Sequence, residues 1–174
     1  MADIQKLAPI ILKWEGGFAN DPDDLGGATN KGVTIATYTQ YRKNKGLPIP
    51  SIADLKGISQ HEWIDILRSM YWNRWKADSI KNQSIANILV DWVWASGVHG
   101  IKRPQRLLEV NDDGVVGTIT LNSINHCPNQ LQLFDRIKMD RVKFIDEICI
   151  KRPANNKFKQ GWLNRLNDFK FSEQ

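Results

Sequence analysis

The chain has 174 residues, 41% of them apolar and 25% charged, with a formal net charge of +5. That length holds one compact domain, or one domain with a small appendage. No run of about 18 apolar residues occurs, which excludes a helical membrane span, and the positive balance favours an anionic partner without identifying it.

The first residues, Met1-Ala2-Asp3-Ile4-Gln5-Lys6, carry an acid and lack a basic start before a long apolar core. No secretory signal is read there, so synthesis is expected in the cytoplasm. Ile4, Leu7, Ile10, Ile11 and Trp14 recur at helical spacing and predict an amphipathic helix from about 3 to 15, stopped by Gly16-Gly17. Residues 17 to 33 hold four glycines and a proline. They read as a loop with a short β-hairpin around Gly26-Gly27 and Gly32-Val33-Thr34. Thr34 to Lys45 reads as helix, ended by Gly46-Leu47-Pro48-Ile49-Pro50. Ser59 with Glu62 forms a capping box ahead of a helix to about Met70. Ser84 to Ala95 is the most apolar segment and predicts a central buried helix, with Gly97 and Gly100 flanking the next break. Pro104 suits the first turn of a helix reaching Val110. Asn111-Asp112-Asp113-Gly114 reads as a turn, and Thr118 to Asn125 as a short helix. Leu131, Phe134, Ile137, Arg141, Phe144, Ile145 and Ile148 mark a long amphipathic helix broken at Arg152-Pro153. A final helix carries Phe158, Trp162, Leu166 and Phe169. The predicted fold is mainly α with a small β element after the first helix.

The chemistry concentrates at the end of the first helix. Glu15 stands beside Trp14 and opens a glycine-rich loop that also carries Asp21, Asp23 and Asp24. A carboxyl against an aromatic wall, at the negative end of a helix dipole, tends to hold its proton. A second carboxylate that stays ionised nearby would complete the acid pair that cleaves glycosidic bonds. The same acids do not make a calcium loop. Counted as an EF-hand from Asp21, the third ligand position falls on Leu25 and the twelfth on Gly32.

Glu15-Gly16-Gly17-Phe18, Asn20-Asp21, Asp24-Leu25-Gly26-Gly27-Ala28-Thr29 and Gly32-Val33-Thr34 form an ordered series. It resembles the glycoside hydrolase 108 family, the muramidase domain of many phage and prophage endolysins. Farther on, Asp113-Gly114-Val115-Val116-Gly117 with Thr120-Leu121, and Phe158 with Gly161-Trp162-Leu163-Asn164-Arg165, resemble the small peptidoglycan-binding module that usually follows. The resemblance implies a lysozyme-like fold, with a catalytic part over residues 1–96 and a helical wall-binding part over 97–174 packed directly on it. It implies Glu15 as the catalytic acid. Phage lysozymes of the related fold place an Asp nine residues after that Glu and a Thr on the strand beyond. Asp24 and Thr29 occupy those places, with Asp21 and Asp23 as competitors for the carboxylate role.

Aromatic rings can stack on sugar faces, so Tyr71 and Trp72, within Tyr71-Trp72-x-x-Trp75, are candidates for lining a glycan cleft or for core packing. Asp91 lies within the apolar helix, and a buried acid must find a partner or a function, so it joins the substrate-binding candidates. The family's helix often reads Asp, three residues, Asn, one residue, Gly. Here Asp91 and Gly97 match, but Ala95 replaces the Asn.

Cys127 and Cys149 have no metal-ligand spacing and read as a buried reduced pair. His61, His99 and His126 make no His-Glu-x-x-His motif, and neither Gly-x-Ser-x-Gly nor a phosphate-cradling loop occurs. No metal or cofactor is expected. Scattered basic groups, such as Arg42, Lys43 and Lys45, match no nucleic-acid motif. The expected partners are therefore peptidoglycan glycan strands, with no nucleic acid and no membrane insertion. A monomer is expected, reaching the wall through a lesion made by a holin-type release partner. Lytic transglycosylase and non-catalytic wall-binding protein are the rival readings.

Overall fold

A computed structural model describes residues 1–20 and 27–173. Backbone contacts divide the chain into two compact units, Ile4–Met70 and Tyr71–Gln174, the latter joined by Met1–Asp3.

The first unit opens with α1 (Ile4–Trp14), whose buried stripe is Ile4, Leu7, Ala8 and Ile11. The strands β1 (Thr29–Asn30) and β2 (Val33–Thr34) pair antiparallel, with Thr29 opposite Thr34 and Asn30 opposite Val33. Thr34 then caps α2 (Ile35–Asn44), its hydroxyl accepting the Thr37 N–H at 3.1 Å. A helix that sequence periodicity does not announce follows, α3 (Ile52–Lys56). It starts on a complete capping box in which Ser51 and Asp54 satisfy each other's backbone N–H. In α4 (Gln60–Met70) Ser59 accepts the Glu62 N–H at 3.1 Å, and Trp63, Ile66 and Leu67 are buried.

The second unit begins with two 3-10 turns, Trp72–Arg74 and Ala77–Ser79. Its centre is α5 (Gln83–Ser96), buried on every side from Gln83 to Val93. Around it stand α6 (His99–Leu107), α7 (Thr118–Asn125), the long α8 (Gln130–Lys151) and α9 (Asn156–Asp168). The N-terminal residues are tied in by backbone: Ala2 N–H donates to the Ile80 carbonyl at 2.8 Å, and Asp3 and Gln83 exchange two hydrogen bonds.

The start of α6 departs from the sequence reading. It begins at His99, so Pro104 lies inside the helix and Gly100 is no breaker. Pro104 lacks the N–H that the Gly100 carbonyl would accept, and the indole N–H of buried Trp75 donates to that carbonyl instead, at 3.2 Å. Gly100 also lets α6 approach α5 closely. A Cβ there would stand 2.5 Å from Trp92 C and Val93 N, inside the neighbouring backbone. The cysteines are both free, Cys149 buried and Cys127 only partly so.

Candidate active site

In the first unit α1 ends at Trp14, and Glu15 is the first residue beyond it, half-buried. The chain then runs alongside β1: Lys31 N–H donates to the Gly16 carbonyl at 3.1 Å, and Ala19 and Thr29 exchange backbone hydrogen bonds at 2.8 and 2.9 Å. This draws Glu15 against the hairpin turn. Lys31 and Gly32 have φ of +50° and +77°, so both residues of the two-residue turn take the left-handed conformation that lets a tight hairpin match the right-handed twist of its strands.

Glycine at 32 does a second thing. A Cβ there would lie 2.5 Å from Cδ and Oε2 of Glu15, so the carboxyl rests where only glycine leaves room. The turn is clamped from the other side. Buried Trp63 donates its indole N–H to the Lys31 carbonyl at 2.9 Å, and Asn30 Nδ2 donates to the Leu55 and Lys56 carbonyls at the end of α3, both at 3.0 Å. Asn30 thus replaces the missing partners of a helix C-terminus. Sequence reasoning assigned no role to Asn30, Trp63 or this use of Gly32. The available signal was the Asn-Lys-Gly triplet, typical of a tight turn.

Thr29 sits half-buried on β1, and because Asn30 faces α3, alternation turns the Thr29 side chain to the opposite face. Asp24, with Asp21 and Asp23, lies outside the described residues.

The other three candidates belong to the second unit, where the structure separates them. Tyr71 is half-buried, its ring 4.6 Å from that of Trp94 at an interplanar angle of 48°. Trp94 is also only partly covered, so the pair presents aromatic surface. Trp72 is 0% exposed and donates its indole N–H to Asp78 at 2.9 Å; it is a core residue with no face open to a ligand.

Asp91 is likewise fully buried, and its partners are internal. Arg141 Nη2 of α8 meets one oxygen at 2.7 Å, and Arg165 Nη2 and Nε of α9 meet the other at 2.6 and 3.1 Å. Burial by itself would raise the Asp91 pKa, but the two guanidiniums outweigh it and hold the carboxyl below the usual carboxylate range. Asp91 therefore fastens α5 to α8 and α9 instead of opening toward a ligand.

Residues 8–97 match the model of the family described as Glycosyl hydrolase 108, and residues 99–167 match that described as "Predicted Peptidoglycan domain". The first match covers just over half of the chain. The chain belongs to the glycosyl hydrolase 108 family. The two matches together make this member a glycosidase of peptidoglycan, on a mainly α, lysozyme-like fold. No curated protein matches the chain. Among solved structures it is similar to one titled "Structure of Brucella abortus SagA", with a TM-score of 0.78 and 26% identity, covering 95% of this chain and 90% of that one. No helix among the described residues is long and apolar enough to cross a membrane.

Proposed function

We propose that this glycosyl hydrolase is an N-acetylmuramidase, hydrolysing the β-1,4 bond from N-acetylmuramic acid to N-acetylglucosamine with Glu15 as general acid. The observation that carries the reading is the seat of the Glu15 carboxyl against Gly32, because an acid must be held in one place to protonate a bridging oxygen as the bond breaks. Asp24 is the proposed second carboxylate, with Thr29 beside it in function: they hold the attacking water or stabilise the positive charge developing on the sugar ring. Tyr71 is the proposed sugar-stacking ring, and Trp94 supports it. Trp72 and Asp91 build the core from which these rings project. The scheme requires no metal or organic cofactor.

In this reading residues 1–96 carry catalysis and 97–174 carry wall binding, with the chain acting as a monomer. The proposed setting is that of a phage or prophage endolysin, made in the cytoplasm and admitted to the wall by a holin-type partner.

The test is mass spectrometry of soluble fragments from purified peptidoglycan digested by the wild type and by Glu15→Gln. Reducing muramic-acid ends that disappear in the variant are expected. Anhydro ends would reassign the reaction to a lytic transglycosylase. No fragments from either protein, where a control lysozyme cuts, would leave a wall-binding protein on an enzyme-like fold.

A further inference from the structure

We propose that a groove between α6 and α8 binds the stem peptide of peptidoglycan through its free carboxylates, an inference that rests on the chain being a peptidoglycan hydrolase. The groove has a volume of about 400 Å³, and Arg103, Arg106, Arg136 and Lys143 supply its cations. Asp140 is the only acid on its wall, so the lining is net positive.

The four cations are not equivalent. Arg103 is committed to the protein: Asp140 takes it at 2.7 and 3.2 Å and Glu147 at 2.7 Å. It serves as a fixed wall. Arg136 donates one N–H to the Leu107 carbonyl at the end of α6, at 2.9 Å. That bond satisfies a terminal carbonyl and orients the guanidinium, whose remaining donors form a ready fork for a carboxylate. Lys143 forms no ion pair among the described residues. Arg106 is paired with Asp112, but both are well exposed, and such a pair is easily exchanged for a ligand.

The rest of the lining favours a peptide over other anions. Leu107 and Met139 give it apolar surface, and Met139 is 61% exposed despite having no polar group. Asp140 on the wall and Glu147, both bonded to Arg103, add negative charge beside that arginine. A polyphosphate or nucleic-acid track would be uniformly basic. A stem peptide combines carboxylates, methyl groups and, where its third residue is diaminopimelate or lysine, an amine. Those groups suit the cations, the apolar pair and the acids in turn.

The experiment is a titration of the full chain with synthetic L-alanyl-γ-D-glutamyl-meso-diaminopimelyl-D-alanine, followed by backbone amide NMR. Shifts are expected at residues 103–107 and 136–143. Arg136→Gln and Lys143→Gln, both on the exposed face of α8, are each expected to weaken binding about tenfold. Amidation of the peptide carboxylates is expected to abolish it, and inorganic phosphate at equal concentration is expected not to displace it. The proposal is overturned by shifts elsewhere, by no binding, by indifference to amidation, or by displacement with phosphate, which would mark a general anion site. The same samples are assayed on whole peptidoglycan. A wild type that releases fragments but ignores the peptide sinks the groove alone. One that binds the peptide but releases no fragments sinks the hydrolase reading alone.

Discussion

Gly32→Ala separates the position of the Glu15 carboxyl from the stability of its unit. The added Cβ would meet Cδ and Oε2 of Glu15 at 2.5 Å, where ordinary contact begins near about 3.5 Å. The obstacle is the far end of a flexible side chain and not backbone, so the carboxyl yields by about 1 Å and the hairpin stays closed. A misplacement of that size costs about a hundredfold in rate, close to 2.7 kcal/mol of transition-state stabilisation. The left-handed φ of +77° adds a separate cost of roughly 1–2 kcal/mol in stability. Gly46→Ala is the control, since Gly46 has a φ of +69° with nothing within 4 Å of its would-be Cβ. Both variants are expected to melt about 2–8 °C below wild type, while only Gly32→Ala loses about a hundredfold in kcat on purified peptidoglycan. If Gly32→Ala melts like Gly46→Ala and keeps wild-type kcat, the placement of Glu15 by this turn is not what catalysis uses, and the reasoning fails.

Asp91→Asn leaves Arg141 and Arg165 without their counter-charge in the core and is expected to cost about 3–5 kcal/mol, measured by urea unfolding. Because the folded Asp91 pKa lies below the unfolded value of about 3.9, its contribution is whole above that pH and is lost as pH falls through the lower folded value. The acid limb of the wild-type stability profile should therefore flatten in Asp91→Asn. Gly100→Ala drives a methyl into the α5 backbone and is expected to lower stability by about 1–3 kcal/mol or more, read by calorimetry. Trp75→Phe keeps most of the ring volume but strands the Gly100 carbonyl, with an expected loss of about 1–3 kcal/mol that a second substitution, Pro104→Ala, should partly restore by returning the helical N–H.

The parts of this architecture that sequence announces are those governed by local rules. The helical stripes of α1 and α8, the apolar continuity of α5 and the turn before α7 follow from periodicity and breakers. So does the placement of Glu15 at a helix end, read as the last turn and found one residue beyond it, ahead of glycines that leave the backbone free to turn. What sequence hides is compensation at a distance. Pro104 looks like a helix start because its missing N–H is normally tolerable only there; a tryptophan 29 positions earlier supplies the substitute donor. The five-residue α3 is too short for periodicity to reveal, and its capping box was the signal to read. Trp72 and Trp94 look alike in sequence, yet one is sealed and the other partly open, a distinction that packing alone draws.

The Asp91 cluster also bears on how the two family segments are joined. Asp91 lies within the glycosyl hydrolase match, whereas Arg141 and Arg165 lie within the peptidoglycan match. Contacts divide the chain elsewhere, at Met70, and assign all three residues to one unit. The helix that ends the hydrolase segment is therefore the core of the unit that contains the peptidoglycan-family segment. Its acid had a legible counterpart: an arginine at 141 within an otherwise apolar stripe, and an acid at 91 within an apolar helix, each costly to bury alone. Two such misfits in one chain are most economically resolved by each other. The added Arg165 leaves the cluster with one excess positive charge, which keeps the carboxylate ionised and the three helices in fixed register. A boundary drawn at Gly97 by sequence similarity thus passes through an ion cluster and through the α5–α6 crossing at Gly100, so the last helix of the hydrolase segment shares one core with the peptidoglycan segment.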